Sequence, residues 1–77
     1  MEAQDLVRAI GITIGLFPQQ IAEILTKNAI VVDAENLNTD ELVNATFSGL
    51  EKSVPFRNDF NDLFNENEEL IMSNLKN

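Results

Sequence analysis

The side chains in this sequence that can do chemistry are nearly all carboxylates. Thirteen Asp and Glu stand against five Lys and Arg in 77 residues, with no histidine and no cysteine. Paired carboxylates perform acid–base chemistry when burial or a like charge drives their pKa values apart. Nothing along the chain marks one pair as buried or perturbed in that way, so no catalytic residue is expected and the protein is read as a non-enzyme. The absence of Cys and His excludes the usual zinc ligand sets, disulfide staples and His-based triads. A calcium loop fares no better. Asp33 and Glu35 begin one, but Leu37 occupies the third ligand position and no glycine stands at the required turn, so no metal site is expected. The remaining arrangement is a stripe of Asp59, Asp62, Glu66 and Glu69 at helical spacing. Such a stripe either imitates a run of phosphates, as a DNA-mimic inhibitor does, or is the solvated face of a helix.

The charge is unevenly distributed. Residues 1–32 carry three acids and two bases, residues 33–77 ten acids and three bases, within a net charge of −8. An acidic surface of this kind repels nucleic acid and anionic membranes and steers toward basic patches on other proteins, besides keeping a small protein soluble. The apolar run Ala9 to Phe17 is too short to span a bilayer and follows Glu2, Asp5 and Arg8 rather than a positive segment. These features predict a monomeric cytoplasmic protein with neither nucleic acid nor membrane as partner. The length predicts one domain over residues 1–77, small enough to bury only about 60% of its unfolded surface.

The elements that would carry these residues are helices. Leu6, Ile10 and Ile14 share a face, with Val7 and Phe17 beside it, and predict a first helix over residues 2–15. The alternation of Ile10, Ile12, Ile14 and Leu16 offers a strand instead, but residues 2–10 have no strand character. Gly15 is expected to end the helix in a left-handed cap, and Gly11 to permit a close contact. Pro18 suits the first position of a short second segment running to Lys27, with Ile21, Ile24 and Leu25 as its apolar face. Ala29 to Val32 reads as an extended stretch crossing the core.

The clearest helix start follows. Asn36 or Asn38 can cap it, Asn38 with Glu41 approximates a capping box, and Asp40 and Glu41 favour the positive end of the helix dipole. Leu42, Val43, Thr46, Phe47, Leu50 and Val54 form an apolar stripe opposite Asp40, Asn44, Ser48 and Glu51. Pro55 should stop this helix near Lys52 or Ser53 by disfavouring the α conformation at Val54. Beyond it, Phe56, Phe60, Leu63, Phe64, Ile71 and Leu75 share a helical face. A break is expected within the asparagine-rich residues 65–67. Phe47, Leu50, Phe60, Leu63, Phe64 and Ile71 are the expected core.

Two blocks of this sequence resemble the acyl carrier proteins, acidic four-helix domains whose recognition helix opens on an Asp-Ser-Leu motif. Glu35, Asn36 and Leu37 stand where that triplet would be. Thr39, Glu41, Leu42, Val43 and Ala45 continue like the family's run D-S-L-D-x-V-E-L-V-x-A, and Leu50, Val54 and Pro55 fall near its closing Ile-Pro. Leu6, Ile10, Gly11, Ile14, Gly15, Leu16 and Ile21 are similar to the family's first helix and loop entry. The resemblance covers residues 6–55.

It implies an all-α, small four-helix bundle with a long loop or short extra helix between the first and second family helices. It further implies docking on basic surfaces of synthase- or transferase-type enzymes, with Asp40, Glu41 and Glu51 making charged contacts around Leu37. In the family the triplet serine carries phosphopantetheine. Asn36 has an amide and no nucleophilic hydroxyl, so no cofactor is expected as written, and phosphopantetheine only if residue 36 were serine. The alternative is an acidic helical interaction protein or DNA mimic unrelated to acyl transfer.

Overall fold

Proline, asparagine and serine punctuate the chain into helices, and the computed structural model follows that punctuation over the residues it describes, 2–33 and 35–76. Five α-helices and no strand are present among the described residues: α1 Ala3–Leu16, α2 Pro18–Lys27, α3 Thr39–Lys52, α4 Val54–Glu66 and α5 Glu68–Lys76. The helical reading of residues 2–15 therefore holds against the strand alternative, and the short segment after Pro18 is a full helix. The radius of gyration is 11.7 Å, close to the about 11.5 Å that compact chains of this length reach. No single helix among the described residues is long and apolar enough to cross a membrane.

Each boundary has a local cause. Phe17 alone separates α1 from α2, its N–H donating back to Thr13 O and its carbonyl accepting from Ile21 N, and the two helices bend by 99° there. Pro18 takes the start of α2, where a missing N–H costs nothing. Asn38, not Asn36, caps α3: its side chain accepts from Glu41 N at 3.2 Å. Ser53 ends α3, donating its N–H to Gly49 O at 2.8 Å, and caps α4 by accepting from Phe56 N at 3.2 Å. Asn67 divides α4 from α5, with its Nδ2 returning to Leu63 O at 2.9 Å.

The core joins α1, α2, α3 and α4 through Ile10, Ile14, Ile21, Leu25, Leu42 and Phe56, with Phe60 beside Phe56. The two rings are 6.1 Å apart and tilted by 43°, within the range of favourable aromatic pairs. Ile71 on α5 is also fully buried, and α5 packs chiefly along α1.

Several expectations are corrected. Of the expected core, only Phe60 and Ile71 are fully buried, while Phe47, Leu50, Leu63 and Phe64 pack as a half-exposed layer against it. Burial is concentrated on α1 and α2, where Ile10 and Ile14 of the expected first face and Ile21 and Leu25 of the second are buried, while Leu6 is half-exposed. Gly15 does not cap α1 in a left-handed conformation; no glycine has a positive φ, and the helix runs on through it to Leu16. Gly11 permits no close contact either, since a Cβ there would meet nothing within 4 Å. Val54, expected to close the α3 stripe, instead opens α4 and is exposed, because the cap at Ser53 outweighs the preference of the residue before a proline.

Among the described residues the left-handed one is Ala29, at φ 63°. It ends α2 in a Schellman motif, with Ile30 N donating to Leu25 O at 2.8 Å and Ala29 N to Thr26 O at 3.0 Å. The turn sends residues 30–33 along the molecule without regular structure. Ile30 and Val32 face the core while Val31 is 93% exposed. The expected contact of this stretch with the core is made by Ile30 and Val32, and Ala29 is the turn that precedes it.

Ala29→Gly removes the Cβ clash of a left-handed alanine, which outweighs the entropy glycine adds to the unfolded chain, so stability should rise by about 0.5–1 kcal/mol in urea titration. An unchanged or lower midpoint would show that the turn is not strained. Gly49→Ala should lose about 1–2 kcal/mol despite alanine's better helix propensity, because its Cβ would lie 2.7 Å from Phe56 Cδ2 and 3.0 Å from Ile30 Cδ1. A gain would mean that Phe56 has room to move. Thr46 Oγ1 is buried with no hydrogen-bond partner among the described residues, whereas Thr13 Oγ1 donates to Ala9 O at 2.7 Å. Thr46→Val should therefore stabilise by about 1 kcal/mol and Thr13→Val should not; equal effects would rule out the unsatisfied hydroxyl as the cause.

Candidate functional site

The connector into α3 is held by two carboxylates, Asp33 and Glu41. Asp33 Oδ1 accepts from Glu35 N at 3.1 Å and from Asn36 N at 3.2 Å, the local side-chain turn that Asp forms readily. Asp33 N in turn donates to Glu41 Oε1 at 3.2 Å. The expected capping box is thereby modified. Asn38 accepts from Glu41 N as anticipated, but the Glu41 carboxylate reaches past Asn38 to the backbone at residue 33, latching the connector onto the first turn of α3.

Asn36 is exposed and lies three residues before the helix, inside the turn that Asp33 organises. Its side chain is an amide with no nucleophilic hydroxyl. Leu37 is half-buried and packs against the core cluster, so only part of it faces outward. Asp40, Glu41 and Glu51 are exposed, as are Asn44 and Ser48 between them. The buried side of α3 is Leu42, Thr46 and Gly49. The helix thus presents one continuous polar face, with Asp40 and Glu41 concentrating negative charge beside its N-terminus, where the helix dipole favours it, and with exposed Lys52 next to Glu51 at the other end. Among the described residues, no three acidic side chains come together as a metal ion would require.

The second acidic arrangement is not continuous. Asp59 turns toward α2, where its Oδ2 accepts from Asn28 Nδ2 at 3.0 Å and lies 3.6 Å from Lys27 Nζ. Its role is to tie the end of α2 to α4. Asp62 and Glu66 remain exposed on α4, and Glu69 stands beyond the Asn67 break on α5.

One feature escaped the sequence reading. A groove of about 440 Å³ lies between α1, α3 and α4, walled by Leu6 and Ile10, by Leu50, and by Phe60 and Phe64. Its polar edge is a single row on α4, Arg57, Asn61 and Asn65, at four-residue spacing. Arg57 Nε donates to Leu50 O at 3.0 Å, satisfying a carbonyl at the end of α3. The available signal was the 57, 61, 65 spacing of the non-acidic polar residues on a helix otherwise rich in Asp and Glu.

No protein-family model matches the chain, nor does any curated protein or solved structure.

Proposed function

We propose that the protein is an acyl-carrier-like, non-catalytic docking protein, with α2 as the extra helix in the connection between α1 and α3. On this reading α1, α3, α4 and α5 take the places of the four family helices. The outer face of α3 binds basic surfaces of synthase- or transferase-type enzymes through Asp40, Glu41 and Glu51, and the outward part of Leu37 forms an apolar edge to the contact.

The observation that carries this reading is the division of α3. Leu42, Thr46 and Gly49 are buried while Asp40, Asn44, Ser48 and Glu51 lie uncovered together. An apolar stripe facing the core satisfies the fold; an uncovered acidic face with its entry turn latched in place is what a charged partner needs. Asn36 separates recognition from cargo. Modification in the resembled family needs a hydroxyl oxygen to attack the diphosphate of coenzyme A, and an amide supplies none.

The test uses coenzyme A and a promiscuous phosphopantetheinyl transferase, read by intact-mass spectrometry. The protein should keep its mass, and Asn36→Ser should gain the prosthetic group, since the position is exposed and already lies in a turn. An Asn36→Ser protein that folds and stays unmodified would remove the carrier reading.

A further inference from the structure

We infer that the groove between α1, α3 and α4 is a binding site for a small, untethered hydrophobic carboxylate. Its volume of about 440 Å³ lies within the roughly 300–1,000 Å³ of small-molecule sites, and its apolar and aromatic walls with a short polar edge have the composition of such sites. Leu6, at 52% exposure, is left half-open to water at its mouth, so an apolar occupant would cover surface that the fold leaves wet.

The charge of the occupant follows from the edge. The chain carries a net charge of −8, yet none of the described residues lining the groove is acidic and the one ion among them is Arg57. Both ion pairs found among the described residues, Arg8 with Asp5 and Lys27 with Asp59, leave Arg57 out. Its Nε is held by Leu50 O, which fixes the plane of the guanidinium at the groove while its terminal N–H groups remain as donors. A positioned, carboxylate-free guanidinium favours a planar anion that accepts two parallel hydrogen bonds. Asn61 and Asn65 continue the same edge with amides able to donate to the same head group. An ammonium head would meet Arg57 with like charge. The site stands apart from the docking face, because none of Asp40, Glu41 and Glu51 lines it.

The experiment is an amide NMR titration of the full chain with decanoate and with 2-naphthoate, each kept below self-association, and with decyltrimethylammonium as an opposite-charge control. Saturable shifts centred on Leu6, Leu50 and Phe60 are expected with at least one carboxylate; the stronger of the two shows whether the occupant is aliphatic or aromatic. Arg57→Gln should weaken binding about tenfold, and Arg57→Lys should recover only part of that loss, since lysine keeps the charge but not the paired N–H groups. Arg57 also caps α3, so Leu6→Glu, at a half-exposed position where the fold tolerates charge, provides the second variant and should abolish carboxylate binding. Absence of saturable shifts with both carboxylates, equal binding of the ammonium compound, or full affinity in both Arg57→Gln and Leu6→Glu would overturn the inference.

Discussion

Phe56 occupies the space that a side chain at residue 49 would take, and Ile30 closes the other side of it. Through that one ring α3, α4 and the connector leaving α2 are seated against one another. Burial of a phenylalanine side chain is worth about 1.5–3 kcal/mol, a large share of the about 4–12 kcal/mol that a chain of this length holds in total. The same contact makes the one-residue connection at Ser53 workable. Gly49 O receives the Ser53 N–H, and Ser53 Oγ accepts from Phe56 N, so the backbone that turns the corner and the ring that fills it belong to one unit.

The punctuation of this fold was legible because it is local chemistry. Pro18, Asn38, Ser53 and Asn67 act on groups no more than four residues away, and spacing alone reveals them. The glycines show where local reasoning ends. Gly11 and Gly15 have a suggestive spacing but sit on the exposed face of α1 with open space around them, while Gly49, which has no local signal, is where two helices meet. A glycine required by close approach is defined by residues seven and nineteen positions away, Phe56 and Ile30. Ala29 is the converse case. A left-handed helix end ordinarily announces itself with Gly or Asn, and here the hydrogen bonds of the cap hold an alanine in that conformation instead.

The same limit governs the surface. The outer face of α3 was readable because a helix face is a periodic property, and Asp40, Asn44, Ser48 and Glu51 fell on it as their spacing required. The acidic stripe beginning at Asp59 was readable as spacing but not as surface, since Asn28 and Lys27 approach Asp59 from another helix. The groove was unreadable for that reason in full: three helices contribute to it, and Leu6 and Leu50 are forty-four positions apart.

The last turn of α3 is where these two surfaces adjoin. Leu50 contributes its side chain to the groove and its carbonyl to Arg57, while Glu51, the next residue, lies on the acidic outer face. Successive helical residues point about 100° apart, so one turn of backbone supports an anionic exterior and an anion-accepting recess without bringing their charges together. Arg57 makes that separation possible. Its bond to Leu50 O turns the guanidinium to the groove side of α3, and the Glu51 carboxylate on the outer side is left unpaired with it. Were the two to pair, the groove would lose its cation and the outer face an acid at the same time. The geometry of a single helix end therefore maintains opposite electrostatic character on either side of α3.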